Sequence, residues 1–159
     1  MPPGWLIPVL VLLPNLLWLV FPPRGTPAAE MVSKSPLVRL MEVLEWLGRL
    51  GCLIIPCFYQ VEVKGGWQLG ALGVMAAALL LYYAGWARFF LGRRAYRLLF
   101  ESLLGVPLPL AVSPIVFFLG AAALLGSWPM AAAALILAAG HIYLSHESSR
   151  VLGERPPMR

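Results

Sequence analysis

The chain has 159 residues, of which 60% are hydrophobic and 12% charged, with a net charge of +5 and a mean hydropathy of +0.82. A soluble domain contains about 45 to 50% apolar residues and about a quarter charged ones. The composition therefore predicts a membrane protein, and it argues against a cytosolic enzyme, a disordered chain and a small disulfide scaffold.

Five apolar stretches are long enough, or nearly long enough, to cross about 30 Å of hydrocarbon. Segments rich in Pro, Gly and charged residues separate them, and no segment fits a soluble domain. We therefore predict an all-α fold, a five-helix transmembrane bundle that forms one domain over residues 1–159. The predicted spans are 5–21, 37–59, 67–91, 110–127 and 129–146, with a short basic tail at 147–159.

The positions of the cations predict the orientation, because Lys and Arg accumulate in cytoplasmic loops. With loop 92–102 in the cytoplasm, Lys64 is the cation outside and Arg49 is left at membrane depth. We expect the N-terminus outside, the C-terminus in the cytoplasm, and the chain in the plasma membrane of a bacterium. The cations on or beside the cytoplasmic side are Arg24, Lys34, Arg39, Arg88, Arg93, Arg94, Arg97, Arg150, Arg155 and Arg159.

The first span combines Pro14, which predicts a kink, with Asn15, whose amide needs hydrogen-bond partners in an apolar helix. Thr26-Pro27-Ala28 could pass for a signal-peptidase site, but the stretch before it lacks a basic start. Its removal would also place the basic loop 92–102 outside. We therefore expect residues 1–28 to remain as a span.

The second span carries four charged residues within an arc of about 120° on a helix. Two interpretations stay open. Its first turns lie at the cytoplasmic interface, with the charges in water and headgroups, or Glu45 and Arg49 face a polar cavity inside the bundle. Charges at that depth are costly unless they are paired or hydrated. The four residues are Arg39, Glu42, Glu45 and Arg49.

Small residues recur at helical spacing in the third and fourth spans, which predicts close contacts between helices. An aromatic cluster at the inner end of the third span is either an interfacial belt with Arg88 reaching the surface or a cradle for a ligand. The small residues are Gly66, Gly70, Gly73 and Ala77, then Ala122 and Gly126. The cluster contains Tyr82, Tyr83, Trp86, Arg88, Phe89 and Phe90.

The segment before the fourth span contains Pro107, Pro109 and Pro114, which disfavour a continuous helix. Ser113 is a candidate N-cap, so regular helix is expected to begin at Pro114. The helix from there to Trp128 is only about 22 Å long, too short to span. We expect 103–113 to be irregular backbone, either dipping into the membrane against protein or lying at the interface.

The fifth span presents small and polar side chains along one face, so His141 is predicted to face protein rather than lipid. The members of this face are Ala134, Ala138, His141, Ser145 and Ser148.

Several chemistries lack the residues that they need. Asp is absent, which excludes the usual aspartate-based headgroup phosphotransferases and membrane aspartyl proteases. A retinal Schiff base needs a lysine inside an apolar span, and neither Lys34 nor Lys64 lies in one. His146 and Glu147 begin like a zinc-protease helix, but the second His is missing, so no metal site is predicted. Serine-hydrolase and nucleotide-binding motifs are also missing, and no cofactor is indicated.

Cys52 and Cys57 lie on different faces of one helix and are expected to be buried free thiols.

We predict a protein that binds or transports a small or amphipathic solute through a polar cavity, with the bilayer as its surroundings and no nucleic acid partner. The predicted ligand-binding residues are Asn15, Glu42, Glu45, Arg49, Ser113, His141 and Tyr143.

Two alternatives stay open. One is an enzyme acting on a lipid or lipophilic substrate at the cytoplasmic face, with His146 and Glu147 as acid–base candidates. The other is an accessory or assembly subunit of a larger complex, and homo-oligomers are also expected. Anionic headgroups would be bound by Arg88, Arg93, Arg94 and Arg97.

Overall fold

The computed structural model describes residues 2–25 and 35–153, and in these ranges the fold is all-helical with no strand. The all-α prediction is therefore confirmed. The possible signal-peptidase site, Lys34 and the end of the basic tail lie outside the described residues. The helices are α1 (Leu6–Val20), α2 (Pro36–Ile54), α3 (Gly66–Leu91), α4 (Pro109–Leu125) and α5 (Trp128–Gly153), with 3-10 turns at Ile55–Phe58 and Tyr96–Leu99.

Two of the five helices, α3 and α5, are long and apolar enough to cross a membrane. Helices α1 and α4 are apolar but shorter, with 15 and 17 residues. Helix α2 has 19 residues, but its four charged side chains lower its hydropathy. The prediction of membrane spans is thus supported by length and composition for two helices.

The helices pack in the order α2, α5, α4, α3 and α1, each against the next. The contact between α2 and α5 is the most extensive, because glycines let the two backbones meet. A Cβ at Gly48 would collide with the backbone of Leu137, and a Cβ at Gly140 would lie 2.5 Å from the backbone nitrogen of Glu45. This close approach decides which side chains of α2 and α5 face each other.

The glycine stripe of α3 does not pack helices within the described chain, so that prediction is wrong here. A Cβ added at Gly66, Gly70 or Gly73 would meet nothing within 4 Å. The opposite face of α3, with Ala71, Met75, Ala78 and Tyr82, is buried, and α4 is the main contact of α3. In α4 the predicted contact residue Ala122 is buried, whereas Gly126 ends the helix with a φ of +60°.

Helix α4 begins at Pro109, five residues earlier than the predicted start at Pro114. A proline fits the first turn of a helix, where its missing N–H has no partner to lose. Pro114 then lies inside the helix, where it removes one backbone hydrogen bond. Ser113 is accordingly a buried helical residue and not an N-cap. The irregular backbone is confined to the residues before Pro109.

The cysteines are both free, but only Cys52 is buried, and the prediction of a buried Cys57 is wrong. Pro56 lies in the 3-10 turn that follows α2, and this change of helix type leaves Cys57 exposed. Helix α5 is also longer than predicted, because it continues past 146 to Gly153.

Candidate functional site

A charged cluster lies where α2 meets α5. The Glu45 Oε1 atom is 2.5 Å from Arg49 Nη2, one helical turn along α2, and 2.6 Å from His141 Nδ1 on α5. Gly140 lets the two backbones approach next to this point, which explains why Glu45 and His141 meet. The side chains are 16%, 44% and 25% exposed for Glu45, Arg49 and His141.

The chemistry of the cluster follows from the shared carboxylate oxygen. An ionised carboxylate only accepts hydrogen bonds, so Nδ1 of His141 donates in this pair, and Nε2 is left for a further contact. Two donors on one carboxylate offset much of the cost of its burial. The Arg49 guanidinium also lies 5.8 Å from the centre of the Trp46 ring.

Pro14 explains how α1 is attached to α3. This residue has no N–H, so the carbonyl of Leu10 one turn earlier lacks its helical partner. The Tyr83 hydroxyl of α3 donates to this carbonyl at 2.8 Å. Asn15 donates its amide hydrogens to the Val11 carbonyl and to the Tyr82 hydroxyl, both at 2.9 Å. The polar groups of α1 thus contact α3, and α1 continues as a helix through Pro14.

A cavity of about 570 Å³ lies between the helices. Its volume falls within the range of about 300 to 1,000 Å³ that is usual for ligand pockets. Most of its lining is apolar, and every helix contributes to it. The polar and aromatic side chains of the lining are Asn15, Trp18, Glu45, Arg49, Tyr82, Trp86, Tyr96, Phe100, Phe118, His141, Ser145 and Ser148.

Four of the seven predicted ligand-binding residues line this cavity together: Asn15, Glu45, Arg49 and His141. The other three do not line it. Glu42 is exposed on α2, and Tyr143 is half-buried on α5. Ser113 is 1% exposed inside the bundle, and its hydroxyl has no hydrogen-bond partner in the described residues.

The aromatic cluster of α3 contributes two of its members to the cavity wall, Tyr82 and Trp86. Trp86 lies 6.4 Å from Trp18 of α1 and 6.2 Å from Tyr82, measured between ring centres. Aromatic pairs at such distances are stabilising. Together they form an aromatic part of the cavity wall.

The sequence pattern did not identify two aromatic residues of the cavity lining, Tyr96 and Phe100. The 3-10 turn Tyr96–Leu99 folds back so that Tyr96 and Phe100 line the cavity, and nothing in the spacing of this basic loop indicates that fold. Burial raises the pKa of the Tyr96 hydroxyl, and the nearby Ser148 offsets only part of that rise. Ser145 and Ser148 share the predicted face of His141, and this pattern could have identified them.

The candidates for catalysis and headgroup binding lie outside the cavity. His146 is exposed, and Glu147 pairs with Arg150 at 3.3 Å. Arg88 does not reach outward: its guanidinium donates to the backbone carbonyls of Leu98, Glu101 and Ser102. The remaining predicted headgroup contacts are Arg93, which is exposed, Arg94, which lies over the Phe21 ring, and Arg97, which is 3.6 Å from Glu101.

In residues 2–25 and 35–153, no three side chains of the types that bind metals come together. Comparisons of the chain with protein-family models, with curated proteins and with solved structures return no match. Its function is therefore argued from the geometry of the cavity.

Proposed function

We propose that this chain is an integral membrane protein that binds a small or amphipathic solute in the cavity, as a receptor or a transporter. The observation that carries the proposal is the Glu45–Arg49–His141 cluster on the wall of an otherwise mainly apolar cavity of about 570 Å³. Such a lining, apolar with a few convergent polar groups, is typical of ligand sites.

The cost of the cluster supports a role beyond packing. Charged groups in a membrane bundle are expensive, and apolar side chains would join α2 and α5 at least as well. Protein interiors are also close-packed, so a cavity much larger than a water molecule loses packing energy. A ligand that fills the cavity and contacts the cluster accounts for both the charged groups and the unfilled volume.

The proposal includes the predicted placement, with five helices crossing the plasma membrane of a bacterium, the N-terminus outside and the C-terminus in the cytoplasm. Helix α2 then crosses with Glu45 directed at His141 and with Arg49 on the exposed edge of the cavity. The short helices α1 and α4 cross as parts of the bundle, since a bilayer thins locally around short apolar segments.

An accessory-subunit role is the second candidate, and one observation favours it. The stripe of Gly66, Gly70 and Gly73 faces outward with open space around it, and small residues of this kind let a second helix approach closely. The enzyme alternative has no comparable support, because His146 is exposed and Glu147 already pairs with Arg150.

Filling the cavity is expected to remove the ligand. Ser145 lines the cavity on α5, and a tryptophan there would occupy part of its volume. We expect native mass spectrometry of the chain, released gently from its own membranes, to show a retained small molecule in the unchanged protein and none in Ser145→Trp.

The matched control is Ala139→Trp, which adds a similar side chain to an exposed position of the same helix. It should keep the molecule. Equal retention in both variants would contradict binding in this cavity. A stable complex with a different polypeptide, and no retained molecule in any form, would favour the accessory subunit.

A further inference from the structure

The exposed residues of the cavity lining all belong to α1 and α2, which indicates an opening between these two helices. These helices are the two ends of the packing order, so neither is among the main contacts of the other. Backbone hydrogen bonds join the residues just before α1 to those that follow α2: the Gly4 N–H donates to the Tyr59 carbonyl, and the Val61 N–H donates to the Pro2 carbonyl. At its other end α1 is tied to the loop after α3, through Arg24 with Arg94 and Tyr96.

The residues on the two edges of this opening differ in character. On α1 they are apolar and exposed: Leu12, Leu16 and Leu19 all line the cavity and reach the surface. On α2 the exposed group is Arg49, next to the less exposed Glu45. An occupant therefore meets a hydrocarbon surface on one side and a guanidinium on the other.

From this asymmetry we infer that the ligand is an acidic amphiphile with a single apolar chain, its carboxylate or phosphate bound by Arg49 and its chain lying along α1 and the Trp18–Trp86 wall. The inference rests on the proposed function and specifies its substrate class. A single-chain amphiphile matches the size of the cavity, since about 570 Å³ is a volume for a drug-sized molecule.

The unequal exposure of the two ion-pair partners favours an acidic head group over a basic one. Glu45 accepts hydrogen bonds from Arg49 and His141 through one oxygen and is 16% exposed, whereas Arg49 is 44% exposed, so Arg49 is the charged group that an occupant meets first. Arg49 binds Glu45 through Nη2, and the planar guanidinium can present its remaining N–H groups to a second anion. The hydroxyls of Ser145, Ser148 and Tyr96 add further polar groups to the lining.

The class can be tested with a fluorescent probe and its uncharged and basic counterparts. The probes are dansyl-undecanoic acid, its methyl ester, and the amine with the same chain, added to the full-length protein in nanodiscs of a neutral phospholipid. We expect the acid to bind about tenfold or more tightly than either counterpart, a difference of about 1.4 kcal/mol. Displacement by an alkyl phosphate or by a fatty acid then shows which anion is preferred.

Variants of the arginines identify the group that binds the acidic head. Arg49→Gln should weaken binding of the acid about tenfold and leave the ester unchanged, and Arg49→Lys should retain most of the preference. The control is Arg39→Gln, an exposed arginine on the same helix that does not line the cavity. It should change neither affinity.

The two proposals fail in different ways. Equal affinities for acid, ester and amine in the unchanged protein would overturn the acidic class, while loss of all three in Ser145→Trp would still support binding in the cavity. An affinity for the acid that is the same in the unchanged protein and in Arg49→Gln would overturn the assignment of the head group to this residue. If Ser145→Trp binds all three probes as tightly as the unchanged protein, the probes do not bind in the cavity. That result would contradict both proposals.

Discussion

Replacing Gly48 with alanine is expected to lower the free energy of unfolding by about 2 to 3 kcal/mol, because overpacking a tight contact costs this much. The new Cβ would collide with the backbone of Leu137, and a backbone cannot move aside as a flexible side chain can. Separation of α2 from α5 would also pull Glu45 away from His141. The measurement is the unfolding transition in a denaturing detergent, followed by helical circular dichroism.

The matched control is Gly73→Ala on α3, where the new Cβ meets nothing within 4 Å. There we expect no loss of stability and a gain of up to about 1 kcal/mol, because alanine favours helix over glycine. Equal losses at both positions would mean that α3 packs through its glycine stripe. Equal gains would contradict the close contact of α2 with α5.

Replacing Glu45 with alanine is expected to cost about 2 kcal/mol of stability. The change leaves Arg49 and His141 without the carboxylate oxygen that accepts from both, and a partly buried charge without its partner is strongly unfavourable. Glu45→Gln should cost less, because the amide oxygen can still accept a hydrogen bond. Detergent unfolding of the full chain measures both variants.

Glu42→Ala is the control for this prediction. Glu42 lies on the same helix but is exposed and does not line the cavity, so its loss should change stability by no more than about 0.5 kcal/mol. If Glu42→Ala and Glu45→Ala were equally mild, the contact between Glu45 and His141 would not contribute to the fold. In that case the charges of α2 would serve only to place it at an interface.

Apolar runs and helix periodicity were sufficient to predict the five helices, because both depend on local sequence. The meeting of Glu45 and Arg49 with His141 also followed a local pattern. The charges of α2 share one arc, and His141 shares a face of α5 with small residues. In the structure Glu45, at one edge of that arc, meets that face, whereas Arg39 and Glu42 are exposed.

The start of α4 and the packing of α3 could not be predicted in the same way. A proline such as Pro109 or Pro114 fits either the first turn or a tolerated interior position, and tertiary contacts decide between them. The Gly66–Gly70–Gly73 stripe and the opposite face of α3 both have helical spacing of small residues, so spacing alone does not choose the contact face. The fold of Tyr96 over the cavity depends on contacts distant in sequence, with Ser148 among them.

The most direct test of ligand binding in the cavity is photo-crosslinking in the protein's own membranes. Benzoylphenylalanine replaces Leu144, which lines the cavity, or Ile142, which is exposed on the same helix. After irradiation, mass spectrometry identifies what is attached. We expect one defined small molecule at Leu144 and a mixture of bulk membrane lipids at Ile142. Two results would contradict a ligand-binding cavity. One is the same lipid mixture at both positions, and the other is a crosslink from position 144 to other residues of the protein with no small molecule attached.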